Sequence, residues 1–340
     1  MSIVPETNKS KPDWYPNISK YSRPSLRKAI WQLINTFLPY IALWALMVYL
    51  LRSGYSYWIV LSLAFLSAGF LIRIFIFFHD CCHGSFFASR RANKVIGYIS
   101  GIMTFTPYED WRSSHAKHHI STSDLDRRGT GDVWTMTLDE YLSAPRSKRL
   151  TYRIYRNPFI MFGLGPVFVF LLINRFSHKG AKKKERNGVI FTNLTILAVA
   201  ILASLGIGVR EYLIIQLPVI LIAGAVGIWL FYIQHQFEGV YWARHEVWDS
   251  MRAALEGASY YKLPKVLQWF IGNIGFHHIH HIRPIIPNYN LQQCFDEIPA
   301  LQEVQPLTFR RSLHSLRANL WDEKQQRMVS FQSLKKQGRV

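Results

Sequence analysis

Eight histidines fall in three tight clusters: His79 and His83 in HDCCH, His115, His118 and His119 in HAKHH, and His277, His280 and His281 in HHIHH. On a helix, positions i, i+3 and i+4 share a face, so each cluster predicts imidazoles aimed at one point. The chain has 13 histidines among 340 residues. At that frequency one H-x-x-H-H arises by chance with a probability of about 0.02, and two with about 2 × 10⁻⁴. A lone histidine is usually a satisfied core or surface residue; three co-spaced clusters are not. Imidazole suits iron, copper, zinc and nickel, and eight ring nitrogens are too many for one ion and enough for two.

The elements that must position these clusters are apolar spans. Hydrophobic residues make up 49% of the chain, and the formal net charge is +19. On a soluble protein that charge would suggest nucleic acid. Here the basic residues flank apolar runs, which instead marks a cytoplasmic side and contact with anionic lipid; no nucleic-acid partner is expected. Four runs are long enough to cross a bilayer, at about 33–51, 57–78, 189–207 and 212–233. The run at 95–107 is too short and reads as interfacial. The run at 158–173 is broken by Gly163-Leu164-Gly165-Pro166 and flanked by basic residues on both sides. A crossing there would put one basic block outside, so a re-entrant or surface-lying hairpin is expected. Arg73 is expected near the interface, with the second helix continuing outward to carry His79.

Four crossings place both termini and every His cluster in the cytoplasm, in the cell membrane. No signal peptide precedes the first run, and the leading stretch is basic (Lys9, Lys11, Lys20, Arg23, Arg27, Lys28). The expected fold is an all-α integral membrane protein: one domain over 1–340, four transmembrane helices, and a helical cytoplasmic cap at 79–156 and 234–340 that holds the His-rich site. The three cysteines, Cys81, Cys82 and Cys294, have no framework spacing and fit a reducing compartment. Thiolate ligation by Cys81 or Cys82 stays open beside the self-consistent imidazole set.

His235 directly follows the fourth span, at the depth of the clusters, and reads as a ninth ligand. His278 points off the ligand face and is either an outer partner or a core residue. His245 stays open as a lesser candidate, while His178 and His314 read as surface residues in basic stretches. Metal-bound imidazoles need acceptors that fix their tautomer. Asp80, Glu109, Asp110, Asp124, Asp126, Glu238 and Asp249 are candidates, with Asp80, Asp110 and Asp124 preferred.

HDCCH, W-R-x-x-HAKHH and G-N-I-G-x-HHIHH followed by Pro-Asn-Tyr resemble the three histidine boxes of integral-membrane fatty acid desaturases. The match extends over nearly the whole chain. It is most similar to the bacterial acyl-lipid branch of Bacillus-type membrane-phospholipid desaturases, including R-G-T-G-D-V-W and Y-R-N-P-F-I-M-F. The resemblance implies two non-haem iron ions and O2 as co-substrate. It also implies His79, His83, His115, His118, His119, His277, His280 and His281 as box ligands, with His235 as the extra one. The stearoyl-CoA members carry a water-holding Asn one turn before that extra His; here the position is Phe231, and Asn273 is the candidate replacement.

The implied reaction inserts a cis double bond into saturated acyl chains of membrane phospholipid, with delta-5 favoured and delta-9 or delta-12 open. A membrane di-iron hydroxylase of the alkane or carotenoid type is the alternative. A metal transporter would hold its ligands inside the spans, and a zinc hydrolase would need one metal and a carboxylate base. The chain has no HPGG haem motif and no dinucleotide fingerprint, so a separate carrier is expected. A ferredoxin or flavodoxin, being acidic, would suit the basic flanks at 146–156 and 175–186.

Overall fold

The computed structural model describes residues 12–129 and 131–336. Lys9 and Lys11, Thr130 and the extreme ends of the expected domain lie outside the described residues.

Four long helices form the frame: α1 (Leu26–Arg52), α2 (Tyr57–His83), and, after four shorter helices and a re-entering stretch, α7 (Lys183–Ile207) and α8 (Val209–His235). Each is long and apolar enough to cross a membrane. α2 and α8 have 27 residues each, about 40 Å at 1.5 Å per residue, against an apolar core of about 30 Å. The surplus turns carry the chemistry. α2 runs on through His79 and His83, and α8 ends on His235. α2 and α8 form the inner pair, flanked by α1 and α7. The outer helices turn large apolar side chains outward, among them Trp31 and Leu38 on α1 and Leu194 and Leu202 on α7. Such continuous exposed apolar surface belongs against lipid.

α3 (Arg90–Met103) forms over the stretch expected to be interfacial, and its polarity is inverted. Asn93, Gly97, Ser100 and Gly101 are buried, while Val95 and Ile99 are exposed. α4 (Tyr108–Ser121) follows a Pro107 N-cap and carries the second cluster. Gly97 lets the two helices touch, since a Cβ there would lie 2.3 Å from the Tyr108 ring. The cap continues through α5 (Leu138–Ser143) and α6 (Arg146–Tyr155), and later through α9 (Ser250–Leu255), α10 (Lys265–Phe270), α11 (His277–Ile282) and α12 (Asn288–Glu297). A strand at Met136–Thr137 pairs with Leu320–Asp322 and ties the two halves of the cap together.

Residues 159–172 form two π-helical turns bent 61° from α6. The stretch starts with Phe162 against Trp229 and Tyr232 of α8. It reaches Gly224 with Pro166 and Phe170. It then returns to the α3–α4 turn, where Asn174 and Arg175 both donate to the Phe105 carbonyl. Such a bent pair is either a re-entrant loop or a broken span.

Arg73, expected near the interface, is enclosed by protein. It is buried, donates to Thr36 Oγ1 at 3.0 Å and to the Trp269 carbonyl, and lies 4.0 Å from the Trp269 ring. It bolts α1, α2 and α10 together.

Gly224 sets how closely the re-entering stretch approaches α8. A Cβ there would meet the Phe170 ring at 2.9 Å and Pro166 at 3.0 Å. Gly224→Ala should therefore destabilise the fold by about 1–3 kcal/mol through overpacking. Thermal denaturation in detergent should show a lower Tm than Gly206→Ala, whose Cβ meets nothing within 4 Å.

Candidate metal centre

The nine histidines singled out from the sequence converge in two groups. His79, His83, His115, His119 and His280 form one; His118, His235, His277 and His281 form the other. Within each group the ring nitrogens lie within 4.8 Å of one another. The clusters do not each aim at one point. The i and i+4 members of a box stay together, as His115 with His119 and His277 with His281, while the i+3 member crosses over. His118 joins the group of the third box, and His280 joins the group of the first and second. On a helix, i+4 returns to within about 40° of i and i+3 falls about 60° short, so three same-face residues straddle two neighbouring points.

One facing pair of rings cannot be hydrogen-bonded, and others approach at ligand spacing. His118 Nδ1 donates to Asp132 Oδ1 at 2.5 Å, and His235 Nδ1 donates to the Gly257 carbonyl at 3.0 Å. Both Nε2 atoms then present lone pairs, yet they face each other at 3.2 Å. His277 and His235 approach at 3.0 Å, His281 and His277 at 3.1 Å, His280 and His119 at 3.0 Å, and His119 and His115 at 3.1 Å, all through Nε2. With metal–nitrogen bonds of about 2.1 Å, neighbouring ligand nitrogens lie about 3.0 Å apart in an octahedron and about 3.4 Å in a tetrahedron. The Nε2 atoms of His79 and His83 are buried with no hydrogen-bond partner. Burial, reinforced by the neighbouring imidazoles, pushes His115, His119, His277, His280 and His281 well below the usual imidazole range. Neutral rings with converging lone pairs fit cations. Neither group includes a carboxylate.

The outer partners differ from expectation in part. Asp80 accepts from His79 Nδ1 at 3.2 Å, and its other oxygen accepts from the Asn288 backbone N–H at 2.7 Å and side chain at 2.9 Å. Asp110 and Asp124 hold other rings: Asp110 accepts from His178 Nδ1, and Asp124 from His245 Nδ1, each at 2.7 Å. Glu109 pairs with Lys184 at 2.9 Å, and Asp126 with Arg244 at 2.7 Å. His278 turns away into the core, donates to the Leu301 carbonyl at 3.2 Å, and is pushed down to about 4 by burial. Asn273 donates to the Asn288 carbonyl at 3.2 Å, so its amide supports α12 instead of facing the rings. Cys81 and Cys82 are buried among Phe77, Phe78 and Phe86, outside both groups.

Sequence reasoning missed Asp132 and the Gly257 carbonyl. Asp132 follows Gly131, which has a φ of +72°, in a turn fourteen residues after His118. A carboxylate in that Gly-rich turn was the available signal. A backbone carbonyl leaves none. Trp111 was also passed over; its ring stacks on His115 at 4.2 Å and meets His79 edge-on.

A cavity of about 570 Å³ opens onto the rings. His79, His115 and His277 stand at it, so it touches both groups, and α2, α8 and the re-entering stretch line the rest with mostly apolar side chains.

Asp132→Asn removes the acceptor charge that fixes His118 and should weaken metal binding about 10- to 100-fold. Elemental analysis of the purified protein should show a reduced metal-to-protein ratio. Asp110→Asn, which frees only His178, should leave that ratio unchanged.

The fatty acid desaturase family model matches residues 55–312. The chain is 48% identical over 318 residues to a fatty acid desaturase of Bacillus subtilis, covering 94% of this chain and 90% of that protein. It is 27% identical over 270 residues to the sn-1 oleoyl-lipid 12-desaturase of a Synechocystis species, covering 74% and 72%. It is 26% identical over 257 residues to a chloroplastic omega-6 fatty acid desaturase of Glycine max, covering 69% and 55%. With its boxes gathered at the ends of two membrane-length helices, the chain belongs to the fatty acid desaturase family.

Proposed function

We propose that this desaturase is a di-iron, O2-dependent enzyme acting on saturated acyl chains of membrane phospholipid, with delta-5 the favoured position. The observation that carries the reading is the meeting of the apolar cavity with both histidine groups. The nine histidines of the two groups are the proposed ligands. Two irons, when bound there, would couple the four-electron reduction of O2 to two waters to removal of two hydrogens from adjacent methylenes: the substrate's two C–H bonds would supply two electrons and two protons, the external donor the other two electrons and solvent the other two protons, leaving the double bond.

The remaining work belongs to the chain. Asp80, Asp132 and the Gly257 carbonyl hold His79, His118 and His235 with Nδ1 protonated, so that each Nε2 is free. Trp111 fixes His115 by stacking. The apolar walls orient one methylene pair at the rings and exclude water. Cavity-lining Phe168 and Ile173 are also 50% and 61% exposed, so they mark an opening on the side of the re-entering stretch. That opening suits a chain arriving from the bilayer while its headgroup stays beside Asn174 and Arg175. Four crossings would leave both chain ends and the rings on the cytoplasmic side of the cell membrane. The Bacillus subtilis relative supports the family, and the Synechocystis relative, by its name, acts on an oleoyl lipid.

Electrons would come from an acidic ferredoxin or flavodoxin. On the basic stretch after the re-entering segment, Lys184 is committed to Glu109, whereas Lys182 and Lys183 are exposed. These two are the proposed steering charges.

Expression in cells with known saturated lipids, followed by mass spectrometry of the lipid acyl chains, should locate a new cis double bond, and the protein should carry about two irons. Oxygenated products would make it a hydroxylase, and turnover confined to acyl-CoA would defeat the lipid assignment. With a ferredoxin or flavodoxin system at low salt, Lys182→Glu with Lys183→Glu should slow turnover several-fold without loss of iron. An unchanged rate would remove docking from this stretch.

A further inference from the structure

The face of α8 that lines the cavity includes Ile220, Ala223, Gly224, Gly227, Phe231 and Gln234. Its two glycines do different things. Gly224 is needed for contact, because a Cβ would strike Phe170 and Pro166. Gly227 has no such reason. A Cβ there would meet nothing within 4 Å, and the residue lies near the centre of the lining face. Glycine is less favourable than any residue but proline inside a helix. At Gly227 alanine would fit the packing and favour the helix, so packing does not account for the glycine. What its missing side chain leaves is room in the cavity.

Gly227 lies eight residues before His235, and Ile72 of α2 lies seven before His79. Both helices run toward their histidines, so these two cavity-lining residues lie at a similar depth, about 10–12 Å of helix rise before His235 and His79. Beyond them the cavity continues past Ala223 to Ile220. An esterified chain keeps its carboxyl end at the headgroup, so only its methyl end can occupy this apolar depth.

We propose that Gly227 is the specificity-determining notch: the open space at its missing side chain lets the methyl end of a long acyl chain pass deeper than the level of Ile72. This rests on the cavity holding the acyl chain. Gly227 therefore sets how many carbons fit beyond the pair that reacts, and with them the chain length accepted.

Membrane lipids carrying a ladder of saturated chain lengths would be offered to wild type, Gly227→Leu, Gly206→Leu and Phe231→Trp. Gly206→Leu adds the same side chain into open space on α7. Gly227→Leu should retain its iron and convert the shorter chains as wild type does, while conversion of the longest falls at least tenfold. A single methylene misfit in an apolar pocket is worth about 10- to 200-fold. Gly206→Leu should keep the wild-type profile. An unchanged length profile in Gly227→Leu, or the same shift in Gly206→Leu, would overturn the assignment. Phe231→Trp separates the two layers of the argument, because it thickens the wall beside His118 and His235. Equal loss on every chain length with Gly227→Leu unaltered would leave the cavity as the acyl site and remove Gly227. No effect from either variant would remove the cavity as well.

Discussion

Nine imidazoles brought together in a buried space are a liability unless something positive stands between them. Burial keeps the cap rings neutral, and neutral rings aim lone pairs where they converge. His118 and His235 show the constraint in its simplest form: both donate Nδ1–H to an acceptor behind them, and both present Nε2 to the other at 3.2 Å. Cations relieve that repulsion and turn it into coordination. Because neither group contains a carboxylate, such cations would keep their full positive charge. The rest of the structure reads as the means of delivering nine nitrogens to two points.

The delivery depends on helix length. A helix that merely spans an apolar core needs about 20 residues, and α2 and α8 have 27 each. Their extra turns leave the apolar layer with backbone hydrogen bonds intact, so His79, His83 and His235 stand on rigid supports. α4 and α11 then complete the two groups from the cap. On α3 the apolar residues Val95 and Ile99 face out, while the small and polar residues Asn93, Gly97, Ser100 and Gly101 face in against the rest of the fold.

Much of this was legible in the sequence. The four long helices follow from apolar run length, and their starts and ends moved mainly because amphipathic turns extend past the hydrophobic core. The nine clustered residues follow from spacing and position. How three residues on one helical face divide between two sites did not follow, because a shared face is wider than a single coordination point. The outer partners were hard to read for a different reason. Asp80 is adjacent to His79 in sequence and holds it, but Asp110 and Asp124, each five residues from the second box, are taken by His178 and His245. Choosing among nearby carboxylates needs the third dimension, and the Gly257 carbonyl carries no side-chain signature at all.

Two buried carboxylates show how tightly the site and its frame depend on each other. The side chains of Asp80 and Asp132 are 2% and 7% exposed, and among the described residues the ion pairs they make are with His79 and His118. Burying a charge against a neutral ring is costly. The cost falls if that ring passes on the charge of a cation bound at its far nitrogen. Asp80 is also held by Asn288, and the two residues after Asn288 extend the connection. Tyr289 accepts from the Ser25 backbone and donates to the Phe86 carbonyl, while Asn290 binds Lys28 and the Tyr21 carbonyl. The start of α1, the end of α2 and the third box thus meet at one short segment, Asn288-Tyr289-Asn290. A charge balanced through His79 would therefore also stabilise the junction between the first helical hairpin and the cap, which makes metal loading and cap assembly parts of one equilibrium.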